Sequence, residues 1–322
     1  MKKKGFRAFC ALIALAAVLA FSACSGEPRM MFGTGGTAGT YYSYGGILAQ
    51  YMRRFAGVRV TAVSTGGSKV NIQSIQDGAF QLGFCQSDVL TYAWEGSRAF
   101  EKDGATHDFK VLGALYAETV QLITMDDDIN SVEDLKGKSV SIGQAGSGVY
   151  FNALDVLEGA GLSLGDIKPQ YQSFEDSKES LKDGKIDAAF IVAGAPTSAI
   201  TELATTNHVK LVNISGSLRD QIIKKCPYYQ PFKIKAGTYP KQDKDIDTIT
   251  VQATVVVAAK ADPDQVYKLT AAIFDHKDDI FKENAKGAEL SIENASSINT
   301  VPYHEGAAKY FADHGVTVNT KE

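Results

Sequence analysis

The sequence predicts an α/β protein built from two similar lobes, and three observations carry that expectation. The first is a loose internal repeat: Phe32-Gly33-Thr34-Gly35-Gly36-Thr37-Ala38-Gly39-Thr40-Tyr41-Tyr42 returns as Ile142-Gly143-Gln144-Ala145-Gly146-Ser147-Gly148-Val149-Tyr150-Phe151. The second is its sequel: about forty residues after each copy, an Asp-Gly pair (Asp77-Gly78, Asp183-Gly184) precedes an apolar strand pattern over 80–85 or 186–192. The third is an alternation of β-branched runs with helical periodicity, which implies parallel βαβ units. A repeat of this length is too long for a solenoid unit and reads as a whole lobe. Each lobe then carries a polar loop at the same topological place, and two such loops facing each other make a cleft.

In the first lobe, strands are expected over 29–32, 58–63, 80–85 and 110–115, with helices over 42–55 and 69–76. The second lobe repeats the pattern with strands over 139–143, 170–174, 186–192 and 209–213 and helices over 149–159, 177–182 and 196–205. A short helix and turn over 132–138 precede its first strand. The apolar, β-branched stretches 118–125 and 248–259 lie at either end of this lobe and read as crossover strands that form a hinge. Amphipathic helices over 262–281 and 307–315 then pack back on the first lobe. The expected organisation is lobe I over 29–117 and 248–322 and lobe II, with the hinge segments, over 118–247.

The N-terminus carries Lys2, Lys3, Lys4 and Arg7 before an apolar run over 8–21, long enough for an export signal and too short for a membrane span. The run ends in Phe21-Ser22-Ala23-Cys24-Ser25, which resembles a bacterial lipoprotein processing site with Cys24 as the lipidated first residue. Phe21 stands where leucine is usual, and ordinary cleavage after Ala23 is the competing reading. A lipoprotein signal over 1–23 and a tether over 24–28 are therefore expected, placing the protein outside the cytoplasm, anchored to a bacterial membrane.

Loss of that leader removes four of the 33 basic residues and leaves 29 against 37 acidic ones, a net charge of about −8. This balance disfavours nucleic acid and anionic lipid surfaces as partners. Of the remaining cysteines, Cys85 sits in an apolar strand pattern and reads as core, while a Cys85–Cys226 disulfide stays open. No metal or cofactor is expected.

A Gly/Ser/Thr-rich turn from strand to helix presents backbone N–H groups at the positive end of the helix, and glycine lets a ligand approach closely. Such loops occur at Gly35-Gly36-Thr37, Ser64-Thr65-Gly66-Gly67-Ser68, Ala145-Gly146-Ser147-Gly148 and Val192-Ala193-Gly194-Ala195, all at strand ends where α/β sheets bind ligands. A tight turn explains any one of them; four at equivalent places point to an anion. Tyr41 or Tyr42, and Tyr150 at the matching place, either close over a ligand or belong to the core. Gln86-Ser87-Asp88 follows a buried strand and exposes three polar side chains at the ligand end, although Asp88 equally suits the cap of the next helix. Lys69 is the exception to a near absence of basic residues in these loops, so a carboxylate is expected to rest on N–H groups and hydroxyls.

Enzyme readings fare poorly. Gly33-x-Gly35-x-x-Ala38 formally fits a dinucleotide fingerprint, but no acidic residue ends the next strand at Ser64, and the loop has no Walker lysine. His304-Glu305 lacks a second histidine at zincin spacing, and no Gly-x-Ser-x-Gly elbow is present. The protein is expected not to be an enzyme.

The mature chain, about 295 residues, resembles the TAXI-type substrate receptors of tripartite ATP-independent periplasmic (TRAP) transporters. The resemblance rests on Gly33-Thr34-Gly35-Gly36-Thr37 with its tyrosines, Ser64-Thr65-Gly66-Gly67-Ser68, Gln86-Ser87-Asp88, Glu118-Thr119-Val120, Gly146-Ser147-Gly148, Val192-Ala193-Gly194-Ala195-Pro196-Thr197, Gly237-Thr238-Tyr239-Pro240 and Val301-Pro302-Tyr303-His304-Glu305-Gly306-Ala307. Ala117 and Lys241 depart from it, where proline and glycine are common. The resemblance implies a two-lobe, type II periplasmic-binding-protein fold that closes on a glutamate-, glutamine- or 2-oxoglutarate-like ligand and hands it to a TRAP permease. Carried over by position, the ligand residues are Gly36, Thr37, Tyr41, Ser64, Thr65, Gly66, Gly67, Gln86, Ser87, Ser147, Gly148, Gly194, Ala195 and Pro196. Asp88 joins them as a partner for a ligand ammonium. A receptor that presents its ligand to a membrane sensor is the alternative.

Overall fold

The computed structural model describes residues 28–321, so the leader, Cys24 and most of the tether lie outside the described residues. The first lobe opens with β1 (Arg29–Gly33), α1 (Thr40–Ala56), β2 (Arg59–Val63), α2 (Ser68–Gln76), β3 (Leu82–Gln86) and α3 (Ser87–Glu95). The long β4 (Phe109–Thr124) leads into β5 (Ser139–Ser141), α4 (Gly148–Gly159), β6 (Lys168–Gln170), α5 (Phe174–Lys182), β7 (Ala188–Ala193), α6 (Ser198–Thr206), β8 (Lys210–Val212), α7 (Gly216–Lys225) and β9 (Gln230–Ile234). β10 (Ile246–Ala258) leads back to α8 (Pro263–Phe274), α9 (Lys277–Glu283), α10 (Ile292–Ala295) and α11 (Glu305–Asp313).

The strands form one sheet in the order β2-β1-β3-β10-β4-β7-β5-β6, with β8 beside β4 and β9 beside β10. β1 pairs in parallel with β2 and β3, and β5 pairs in parallel with β6 and β7. Between these matched triplets run β10 and β4, antiparallel to each other and to their neighbours. The internal repeat of the sequence is thus a repeat of strand–loop–helix units on the two sides of an antiparallel pair.

β4 has 16 residues and β10 has 13, so at about 3.3 Å per residue β4 alone reaches roughly 50 Å, enough to cross both lobes. Their Val, Ile, Thr and Ala content suits strands covered on both faces. The core changes along them. Tyr116 and Ala253 belong to a cluster with Phe32, Phe84, Phe109 and Phe311, whereas Val120 and Val251 belong to one with Val140, Val156 and Phe190. In the second lobe, Ile123, Ile191 and Leu203 make a third cluster. The crossing from one core to the other falls at Ala117, Glu118 and Thr119.

Several elements differ from the sequence expectation. The strands expected over 110–115 and 118–125 are one continuous strand, because Tyr116 and Ala117 keep pairing with β10 through a bulge at Ala253 and Thr254. That strand is antiparallel to its neighbours rather than part of a βαβ unit. The strand expected over 170–174 stops at Gln170, since Ser173 caps α5 by accepting the Asp176 N–H at 3.1 Å. The helix expected over 262–281 begins with an Asp262 cap and Pro263 in its first turn, then breaks at Asp275 and His276 into α8 and α9. Cys85 and Cys226 are both free and buried, in different core clusters. α7 and β9 add elements for which the apolar pattern gave no strong signal, whereas α3 is the helix expected after Gln86-Ser87-Asp88; it starts at Ser87, so Asp88 lies in its first turn and Gln86 is the cap residue.

Candidate ligand-binding site

Three helices from the two lobes begin at one point. α1 starts after Gly39, α2 after Gly67 and α4 after Ser147, and none of these cap residues satisfies the helix N–H groups with a side-chain bond. Ser147 instead donates its hydroxyl to the Gln144 carbonyl at 2.7 Å. The first-turn amides of a helix have no intrahelical acceptor and carry the positive end of its dipole. The Lys69 amide of α2 is taken by Gly146 O, and the convergence of the other helix starts makes a place for an anion.

The space they surround is a cavity of ≈ 60 Å³, lined from lobe I by Gly35, Gly36, Gly39, Thr40, Tyr41, Gly66, Gly67, Ser68, Gln86 and Glu118. Lobe II contributes Gln144, Ser147, Gly148, Val149, Gln172, Ser173, Phe174, Val192 and Ala193. At about 10–15 Å³ per water-sized probe, this holds on the order of five such groups. No Lys, Arg or His is among the lining residues.

Tyr41 is aimed by stacking: its ring lies 4.5 Å from Phe84, which stacks in turn on Phe32 at 4.9 Å. Its hydroxyl has no protein partner, and neither do Glu118 Oε1 or Gln172 Oε1, all of them buried side chains or atoms at the cavity. Burial pushes the Tyr41 phenol well above its ordinary range, with the Glu118 charge acting in the same direction. Burial likewise raises the Glu118 carboxyl to about 8, partly offset by the Tyr116 hydroxyl and the Lys286 ammonium. Lys286 is itself paired with Glu289 at 2.6 Å, and Glu289 also accepts the Ala117 N–H at 2.7 Å.

Of the residues expected from sequence, the structure brings Gly36, Tyr41, Gly66, Gly67, Gln86, Ser147 and Gly148 to the cavity wall. Thr37, Ser64 and Thr65 line an adjoining surface groove of ≈ 300 Å³ that shares Gly36, Gln144, Ser173 and Phe174 with it. The Ser64 hydroxyl is used within the loop, donating to Gly35 O at 3.0 Å, and the Thr65 hydroxyl bonds Asn71 Oδ1 at 2.7 Å. Ser87 Oγ accepts the Gln252 N–H at 3.0 Å and so ties α3 to β10. Gly194, Ala195 and Pro196 fall outside the cavity wall, where Val192 and Ala193 take their place; Gly194 O instead accepts the Thr40 hydroxyl at 3.1 Å. The wall residues Glu118, Gln144, Gln172, Ser173 and Phe174 were missed. Glu118 carried a signal, a carboxylate inside an otherwise apolar crossover strand.

Asp88 is fully buried and lies at the seam between the lobes. Asn152 of lobe II donates to Asp88 Oδ2 at 2.9 Å and to Tyr229 Oη at 2.7 Å, while Gln86 Nε2 donates to Asn152 Oδ1 at 2.8 Å. Tyr229 donates to Asp155 Oδ2 at 2.9 Å, and Arg98 reaches across from lobe I to Asp155 Oδ1 at 2.8 Å. Tyr92 donates to Tyr228 at 2.6 Å, and the Lys69 N–H to Gly146 O at 3.2 Å. The lobes are therefore closed on each other. Burial raises the Asp88 carboxyl to about 7, with the charge of Asp155 acting in the same direction and bonds from the Val89 N–H and Asn152 opposing.

A sequence model of the NMT1-like family matches residues 32–315. The chain belongs to that family. Solved structures similar to this NMT1-like chain include the alkanesulfonate-binding protein SsuA from Xanthomonas axonopodis pv. citri bound to MOPS, at 18% identity and TM-score 0.52, over 90% of this chain and 85% of that one. A protein from Bordetella bronchiseptica RB50 is similar at 15% identity and TM-score 0.55, over 89% of each chain. A putative L-cystine ABC transporter protein from Listeria monocytogenes is similar at 17% identity and TM-score 0.51, over 83% of this chain and 98% of that one. The likeness is one of fold, and the NMT1-like chain has the two-lobe fold of type II periplasmic binding proteins.

At Gly148 the lobes leave no room for a side chain: a Cβ there would stand 1.4 Å from Gln86 Oε1 and 2.5 Å from its Cδ. Gln86 is buried and bonded to Asn152, so moving its amide aside breaks that bond between the lobes. Gly148→Ala is expected to hold the lobes apart and raise the radius of gyration in small-angle scattering, and adding Gln86→Ala is expected to restore the parent value. Asp88 gives a second expectation. Its folded-state pKa lies above that of an exposed aspartate (about 3.9), so folding favours the protonated acid; the stabilisation is complete below about pH 4 and is lost as pH rises through 7. Urea unfolding at pH 5 and pH 8.5 is expected to show the parent losing stability relative to Asp88→Asn, and parallel behaviour of the two would disprove the assignment.

Proposed function

We propose that this chain is an extracytoplasmic solute-binding receptor that closes its lobes on a small carboxylate or amino acid and delivers it to a membrane permease. The observation that carries this reading is the cavity itself: uncapped helix starts from both lobes meet around buried polar atoms that lack protein partners. Most buried polar groups are paired in folded proteins, and three of the unpaired ones, on Tyr41, Glu118 and Gln172, stand at this cavity, where a ligand touching both lobes reaches them. A ligand touching both lobes favours the closed state by its differential affinity for it.

The resemblance to TAXI-type receptors supports a TRAP permease as the recipient and a glutamate-, glutamine- or 2-oxoglutarate-like cargo. The fold neighbours support small anionic or zwitterionic ligands more broadly, one being named for alkanesulfonates and another for L-cystine. Presentation of the ligand to a membrane sensor is the second reading. We also propose that Cys24, in the Phe21-Ser22-Ala23-Cys24 context, carries a lipid that tethers the receptor to the membrane.

Protein unfolded to strip bound solute and then refolded is expected to gain melting temperature with a small carboxylate or amino acid, since about 2.7 kcal/mol of stabilisation accrues at a hundred times Kd. Tyr41→Phe is expected to weaken that gain. No shift across amino acids, dicarboxylates, keto acids and sulfonates would defeat the receptor reading, and ligand-dependent uptake in vesicles holding a TRAP-type permease separates delivery from sensing. In cells, Cys24→Ser is expected to move the protein from the membrane to the soluble fraction, and retention of the variant on the membrane would disprove lipid anchoring at that residue.

A further inference from the structure

Among the residues lining the cavity, Glu118 is the one carboxylate, and none of the lining residues is basic. It is 2% exposed and its Oε1 has no protein partner. Its position is fixed by the backbone of the crossing strands: Glu118 pairs with Val251 in the β4–β10 ladder, and its own carbonyl accepts the Thr250 hydroxyl at 2.8 Å. The nearby Lys286 is committed to Glu289, so no salt bridge neutralises Glu118 among the described residues. The cavity thus has two chemical ends. Helix amides and the Tyr41 hydroxyl offer donors for an anion, while Glu118 and Gln172 Oε1 offer acceptors for a donor.

A dicarboxylate or keto acid presents only acceptors, so it meets Glu118 through a single bond from the protonated acid and gains no charge pairing there. A zwitterion satisfies both ends. We propose that Glu118 is a specificity-determining ligand contact whose carboxylate receives the ammonium of an α-amino acid, so that the cleft prefers an amino acid to a dicarboxylate or keto acid of the same size. This rests on the receptor reading above and narrows its ligand class.

The groups facing Glu118 are the hydroxyls of Tyr116 and Tyr41, the Lys286 ammonium, and the carboxyls of Asp88 and Glu289. Burial favours the protonated Glu118 in the empty cavity at neutral pH. An arriving ammonium favours the carboxylate, so binding of an amino acid releases a proton from Glu118 to solvent.

The test is calorimetry on the refolded chain with the amino acids and their keto-acid counterparts, including glutamate against 2-oxoglutarate and alanine against pyruvate. The parent is expected to bind its amino acid about thirtyfold or more tightly than the matching keto acid, the scale of losing one partner of a buried charge pair. Glu118→Gln is expected to erase that preference. Titration of the parent in phosphate and in Tris at pH 7 reads the released proton and needs no variant, so a poorly folding Glu118→Gln leaves the proposal testable. A keto acid, dicarboxylate or sulfonate that binds more tightly than any amino acid, an unchanged preference in Glu118→Gln, or binding without proton release overturns the proposal and leaves the receptor standing. Absence of binding by every compound overturns both.

Discussion

The structure depends on a seam of polar groups that the two lobes bury against each other. Hydrogen-bonding side chains taken out of water must find partners, or each costs about 1–3 kcal/mol. Gln86, Asp88, Arg98 and Tyr92 of the first lobe meet Asn152, Asp155, Tyr229 and Tyr228 of the second, and nearly every donor finds an acceptor across the gap. Asn152 is central because its amide accepts from Gln86 while donating to Asp88 and Tyr229. Asp88 Oδ1 is the exception in the seam, and the cavity beside it holds three more unpaired atoms, on Tyr41, Glu118 and Gln172.

Much of the fold was legible because its signals are local. Alternating apolar runs and helical patterns placed β1, β2, β3 and β7 within a residue or two, and the repeated glycine loops located the helix starts that build the cavity. What could not be read were features decided by distant partners. β4 runs through Tyr116 and Ala117 without a break because β10, some 130 residues later, supplies its ladder. Polar, short elements such as α7 and β9 leave little trace in a hydrophobic pattern, since they rest on the second lobe with few buried positions.

The site was legible in its backbone and less so in its side chains. Glycines at strand ends announce close approach, and Gly36, Gly66, Gly67 and Gly148 all reached the wall. Hydroxyls and carboxylates are ambiguous in sequence, because the same side chain bonds a ligand, a neighbouring loop or the other lobe. Ser64 and Thr65 serve their own loop, and Asp88 serves the seam. Glu118 was seen in sequence as part of a hinge strand, and only its place at the change from one core to the other turns it toward the cavity.

That place also explains why a carboxylate, rather than a hydroxyl, suits the cavity floor. Tyr41 and Gln172 present neutral polar atoms to the cavity, which water or a ligand serves at similar cost. Water does not offset the burial of a charge at Glu118, so the empty cavity holds the acid protonated and the carboxylate form remains costly. A ligand ammonium removes that cost, and at about 1.4 kcal/mol per tenfold a difference of about 2 kcal/mol separates ligand from water by about thirtyfold. Closure over solvent and closure over solute then differ chiefly at one residue, on the strand that joins the lobes.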